Sequence, residues 1–220
     1  AIALPSRPTF MSLIDQLETK SATIGIVGLG YVGLPLALAY VKAGCRVLGF
    51  DIDDKKIENL SSGQSYIKHI SNKDIAAAKD SGRLEATADF SRVSEVNALI
   101  LCVPTPLDEH LEPDLSYVRS TLDSVCPHLQ TDTVVSLEST TYPGTTTEEM
   151  VPRLEKQDLI PGETIFVVYS PEREDPGNAK YHTTSIPKVV GGQTAECLEV
   201  GKALYNLSLI HISEPTRLGF

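Results

Sequence analysis

Residues 23–33 restrict the folds open to this chain more than any other stretch: Thr-Ile-Gly-Ile-Val runs directly into Gly28-Leu29-Gly30-Tyr31-Val32-Gly33. The β-branched run predicts a buried strand, and residues 34–43 predict an apolar helix closed by Gly44. Glycines at the first, third and sixth positions of a strand-to-helix turn serve three ends. They permit a tight turn, an approach of backbone to a pyrophosphate, and close packing of helix on strand. The start of such a helix also offers unpaired N–H groups and the positive end of its dipole. A second strand, 46–50, ends at Asp51, 21 residues after Gly30, where an acid can accept hydrogen bonds from ribose hydroxyls. Glycines alone can serve geometry only. Strand, glycines, helix, strand and acid in this order point to a dinucleotide, with Tyr31 and Val32 counted among its binding residues. Asp51 would repel a 2′-phosphate and no Arg follows it, so NAD is favoured over NADP. Lys55 and Lys56 are expected to be solvated or to lie on the pyrophosphate side of a helix over 53–60.

The same alternation continues. Helix 71–81 has Ser71 as its cap, with Asp74 three residues on and Gly82 as its stop. Residues 98–103 form a nearly all-apolar strand broken by Pro104 and Pro106, and Asp114 can cap a helix running to Cys126. Residues 133–137, 164–169 and 188–190 predict three more strands, and 195–205 a last helix. Strands that are apolar throughout are buried on both faces, as parallel strands between helix layers are. The fold class expected is therefore α/β, a Rossmann-type doubly wound parallel sheet forming a single dinucleotide-binding domain. The domain is placed at 11–206, since Met11 opens a more plausible start than Ala1. Residues 1–10 are expected to be a leader foreign to it and 207–220 an aberrant tail. Three connections are long: 61–70, 104–113 and 170–187.

Composition removes other classes. Of 220 residues, 41% are hydrophobic and 22% charged, which suits one globular domain or somewhat more. A net charge of −10 argues against nucleic acid and membrane surfaces as partners. No apolar run approaches a spanning helix, and residues 1–11 lack a signal-peptide pattern, so a cytoplasmic location is expected. Cys45, Cys102, Cys126 and Cys197 show no metal-ligand spacing and are expected to be unpaired packing residues; no metal is expected.

The reaction must be sought in the loops that leave the strand ends, the edge where such sheets bind ligands. Thr105, in Val103-Pro104-Thr105-Pro106, can hydrogen-bond a cofactor or simply belong to a proline-stiffened turn. Glu138-Ser139-Thr140-Thr141-Tyr142-Pro143-Gly144-Thr145 supplies hydroxyls at the same edge, or caps the helix that follows. Tyr169-Ser170-Pro171-Glu172-Arg173-Glu174-Asp175-Pro176-Gly177 brings a dense group of charges.

Over residues 21–205 these motifs together resemble the UDP-glucose/GDP-mannose dehydrogenase family, which oxidises nucleotide sugars at C6 in two NAD-dependent steps through a cysteine thiohemiacetal. The resemblance implies that Gly28, Gly30, Gly33 and Asp51 bind NAD, and that Thr105 and Thr140 line the nicotinamide side, with Thr140 catalytic. Glu172 would stand where cofactor and UDP-sugar meet, also catalytic, with Arg173 on the substrate side. The position four after Glu172 is Pro176, where UDP-glucose enzymes carry a second acid. S-P-E-R-x-x-P-G is similar instead to members acting on UDP-N-acetylhexosamines, with N-acetylglucosamine the first choice, N-acetylmannosamine or N-acetylgalactosamine next. None of the four cysteines has the Gly-rich setting of the family's nucleophile. The resemblance therefore implies an N-terminal part that binds NAD without activity of its own, from an enzyme that forms homo-oligomers. The alternative from another class is a stand-alone NAD-binding module.

Overall fold

The computed structural model describes residues 9–107, 109, 112–171 and 188–208. Helix α1 (Thr9–Glu18) leads into β1 (Thr23–Val27), α2 (Gly33–Ala43), β2 (Arg46–Phe50), α3 (Asp54–Ser61) and α4 (Asn72–Asp80). Then follow β3 (Leu84–Thr87), a 3-10 turn over Phe90–Glu95, β4 (Ala98–Leu101), α5 (Ser116–Val125) and β5 (Thr133–Leu137). A π-turn (Thr146–Met150) runs into α6 (Val151–Glu155), and β6 (Ile165–Tyr169), β7 (Gly191–Gly192) and α7 (Ala195–Ser208) complete the described elements.

The helix signals act as the sequence implies. Gly44 takes φ +99° and closes α2 through its N–H to the Tyr40 and Val41 carbonyls. Ser71 accepts the Asp74 N–H at 3.2 Å while its hydroxyl donates to the Asp74 carboxylate at 2.7 Å. Asp114 accepts the Ser116 N–H at 2.8 Å at the start of α5. Pro152 has no N–H to continue an ordinary helical ladder, and the backbone widens to a π-turn just before it.

Seven strands form one sheet in the order β3-β2-β1-β4-β5-β6-β7, parallel except for the β6–β7 pair. This is the doubly wound order, and chain direction along the sheet reverses between β1 and β4. Alternate residues of each strand feed opposite layers. Ile24, Ile26, Ala98 and Ile100 pack with Leu13 and Leu17 of α1, Leu34 and Tyr40 of α2, and Val200 and Leu204 of α7. Leu99, Leu101, Val135 and Val167 pack with Val118 and Leu122 of α5 and Leu154 of α6. With one apolar layer on each face, the strands are buried on both.

Three elements differ from expectation. The strand expected over 188–190 forms instead at Gly191–Gly192, because the side chain of Lys188 is turned to Glu138 and the Val189 carbonyl accepts the Ser170 hydroxyl. Strand β3 lies outside the expected elements: Leu-Glu-Ala-Thr has one buried residue, Leu84, and pairs only at the sheet's edge. Helix α1 also lies outside the expected elements, yet buries Leu13 and Leu17. All four cysteines are free and buried, as expected.

Leu99 is wholly buried at the centre of β4. Leu99→Ala is expected to cost about 2–5 kcal/mol of unfolding free energy, read from urea denaturation; a loss under 1 kcal/mol (about a fifth of the core-deletion range) would contradict this packing.

Candidate functional site

The carboxyl ends of β2, β1, β4 and β5 share one rim of the sheet, and a cleft of about 560 Å³ lies along it. The glycine turn forms its floor. Gly28 has φ +88°, and a Cβ there would lie 2.5 Å from the Cys102 carbonyl oxygen. A Cβ on Gly33 would overlap the Gly28 carbonyl, so α2 can start directly above β1 only with glycine at both places. At Gly30 a Cβ would meet nothing within 4 Å: this is the side open to the cleft. No side chain caps the N-terminus of α2. An anion approaching Gly30 thus meets backbone and the positive helix end.

Asp51 is 5% exposed and fixes the turn from β2. Its Oδ2 accepts the Leu29 N–H at 2.8 Å, and its Oδ1 accepts the Asp53 N–H at 3.0 Å. Lys56 also donates to Oδ2, at 2.8 Å. The sequence placed Lys56 in solvent or beside the pyrophosphate; the structure corrects this, because one turn of α3 carries its ammonium back to the carboxylate. A carboxylate has about four lone-pair sites, so one on Oδ1 is free of these three donors and available to a ligand hydroxyl. From the other side, the Tyr66 hydroxyl donates to the Leu29 carbonyl at 2.6 Å. Tyr66 belongs to the long connection 61–70, and nothing in the spacing of that connection announced this contact. Burial, with Asp51 and Asp53 near, pushes the Tyr66 phenol well above its ordinary 10.

The other end of the cleft is built by the loops after β4 and β5. The Thr105 hydroxyl donates to the Thr140 carbonyl at 2.7 Å, and the Ser139 hydroxyl to the Val103 carbonyl at 2.7 Å. The Thr105 proton thus ties two loops, and its oxygen can still accept. Cys102 is 8% exposed and belongs to both core and cleft wall. Beneath the second loop, Glu138 is 4% exposed, in contact with Lys188, and accepts the Tyr205 hydroxyl at 3.3 Å. Tyr205 in turn shares a hydrogen bond with Ser136 at 2.7 Å. Burial lowers the Lys188 pKa to about 8.

Of the residues singled out in the sequence, Gly28, Gly30, Tyr31, Val32, Asp51, Thr105 and Thr140 line this one cleft, with Gly33 directly beneath the turn. Glu172 and Arg173 lie outside the described residues. Lys56, Tyr66, Glu138 and Lys188 are the residues that sequence reasoning left unassigned or placed elsewhere. Among the described residues no cluster of His, Cys, Asp and Glu could hold a metal ion, and no helix is long and apolar enough to cross a membrane.

The model of the UDP-glucose/GDP-mannose dehydrogenase family's NAD-binding domain matches residues 22–208. The chain is 40% identical over 187 residues to a UDP-N-acetyl-D-glucosamine 6-dehydrogenase of Pseudomonas aeruginosa, covering 84% of this chain and 43% of the relative. It is 33% identical to the UDP-N-acetyl-D-mannosamine dehydrogenase of Escherichia coli, covering 86% and 46%. The crystal structure of an NDP-N-acetyl-D-galactosaminuronic acid dehydrogenase from Methanosarcina mazei superimposes with a TM-score of 0.81 at 31% identity, over 93% of this chain and 45% of that one. The chain thus spans less than half the length of these relatives.

The raised phenol carries a consequence at alkaline pH. Unfolded tyrosines lose protons near pH 10, whereas folded Tyr66, and the still more buried Tyr205, hold theirs higher. Their contribution is full below pH 10 and is lost as pH rises above it. Denaturation midpoints followed from pH 9 to 12 (about one unit below to two above a free phenol) should fall less steeply for Tyr66→Phe than for the unmutated chain. Identical slopes would contradict the buried contact.

Proposed function

Since the chain belongs to the UDP-glucose/GDP-mannose dehydrogenase family, we propose that it is the cofactor-holding part of an enzyme oxidising C6 of UDP-N-acetylglucosamine to the acid. NAD, when bound, accepts hydride from the alcohol carbon. The residues of this chain bind and orient it. Backbone of Gly28, Gly30, Tyr31 and Val32, with Gly33 allowing α2 its position, receives the pyrophosphate, and Asp51 receives the adenosine ribose. Thr105 and Thr140 face the nicotinamide end. Glu172 and Arg173 are assigned to the sugar side on the strength of the S-P-E-R-x-x-P-G motif alone. The same motif, and the higher identity to the Pseudomonas aeruginosa relative, favour N-acetylglucosamine over N-acetylmannosamine.

The observation that carries the reading is Asp51, buried at the end of β2 with its Oδ2 on the Leu29 amide of the glycine turn. It also sets the cofactor. Lys56 neutralises part of the Asp51 charge, so discrimination rests on acceptor geometry: ribose hydroxyls can donate to Oδ1, and a 2′-phosphate cannot. Calorimetric titration of this chain should show tighter binding of NAD than NADP; the reverse order would sink the assignment. Asp51→Ala should weaken NAD binding by about 1.5–3 kcal/mol, the worth of a hydrogen bond to a charged group.

Turnover is a separate matter. The aldehyde formed first must be held for a second oxidation, and a reactive thiolate needs an exposed, electropositive setting. Burial raises the Cys45 thiol and pushes Cys126 up to about 11, and the Cys197 sulfur is occupied by the Val167 N–H at 3.2 Å. The chain alone, given NAD and UDP-N-acetylglucosamine, is expected to produce no NADH by absorbance. Sustained production that depends on the sugar would show that the reacting groups are within it.

A further inference from the structure

The charged side chains lining the cleft, among the described residues, are Asp51, Lys56 and Glu138. Asp51 and Lys56 compensate one another at the ribose end. Glu138 stands three strands away, across β1, β4 and β5, at strand spacings of about 4.8 Å each. That is the span of an extended dinucleotide laid from β2 to β5. The partner of Glu138, Lys188, touches the carboxylate directly, the lysine side chain being 12% exposed and that of Glu138 4%.

Lys188 contacts the Glu138 carboxylate, the Tyr205 hydroxyl donates to it, and the Lys188 ammonium sits 4.9 Å from the centre of the Tyr205 ring. The Glu138 backbone is also fixed, its N–H donating to the Leu101 carbonyl at 2.8 Å. The next residue is tied by its hydroxyl to Val103. The negative charge therefore has a defined place, at the end of the cleft away from Asp51.

We propose that Glu138 sets the preference of this cleft for the oxidised cofactor, its charge maintained by Lys188. The inference rests on the reading that the cleft takes NAD. The oxidised nicotinamide ring is a cation, and hydride uptake makes it neutral. The Glu138 carboxylate, with part of its charge offset by Lys188 as that of Asp51 is by Lys56, still stabilises the cationic ring more than the neutral one, so it tightens NAD+ relative to NADH. A dehydrogenase working toward oxidation gains by it at the binding step. Uptake of hydride is opposed to the same degree, so Glu138 trades driving force for occupancy.

The test is the ratio of the dissociation constants of NAD+ and NADH, measured on the chain as it stands and on Glu138→Gln, with ADP-ribose as the probe lacking the ring. Glutamine keeps the shape and an acceptor for Lys188 and removes only the charge. NAD+ should weaken relative to NADH by roughly three- to tenfold, the effect of one partly screened charge, with ADP-ribose unchanged. An unchanged ratio, or equal weakening of all three nucleotides, overturns the proposal and leaves Glu138 a structural residue. Failure of the unmutated chain to bind any of them would overturn the cofactor reading instead. If Glu138→Gln does not fold, the unmutated protein decides. With carbon-13 in its glutamates, the infrared difference between the NAD+ and NADH complexes should contain a shifted carboxylate stretch from the glutamate lining the cleft. A difference spectrum without one overturns the proposal.

Discussion

Helix α2 can begin directly above the end of β1 only because no side chain stands between Gly33 and the Gly28 carbonyl oxygen. That approach aims the first N–H groups of the helix along the sheet's rim. It also places Leu29 where its N–H meets Asp51 and its carbonyl meets Tyr66, so the two peptides flanking Leu29 are each held by a side chain. The reversal of chain direction between β1 and β4 leaves the rim open at this point, and the cleft is the consequence. A larger residue at position 33 would move α2, and with it the wall on which every other lining residue depends.

What was legible in the sequence follows the same logic. Glycines, caps and apolar strands act locally, so β1, α2, β2, α4 and β5 could be placed from their own residues. The place of Asp51 at the end of β2 was legible because it depends only on its distance from the turn. Lys56 was misplaced because its reach across a helical turn to Asp51 competes with solvation on equal terms in a sequence. Glu138 and Lys188 are fifty residues apart, and they meet only because the folded sheet brings the segment before β7 within side-chain reach of the end of β5, with β6 between the two strands. No local pattern carries such a contact. Tyr66 is the same case: a tyrosine in a long connection shows its purpose only when the connection folds back onto Leu29.

The charges of the cleft show a division between its ends. After β2, Asp51 Oδ2 accepts from both the Leu29 N–H and the Lys56 ammonium. At the other end, after β5, Glu138 is buried and in contact with Lys188. Such a pair is costly to bury and does little for stability by itself, so its presence beside the cleft points to the chemistry of the cleft. The chain matches less than half the length of the nucleotide-sugar dehydrogenases described above.

The central claim is that the rim from β2 to β5 receives one dinucleotide, and amide NMR during NAD titration tests it most directly. The account predicts the largest shifts along a single path: the amides of Gly28 to Gly33, Asp51 and Ile52, then Thr105 and Ser139 to Thr140. Shifts centred instead on the separate hollow of Glu112, Arg119 and Tyr142, with the glycine turn unmoved, would contradict it.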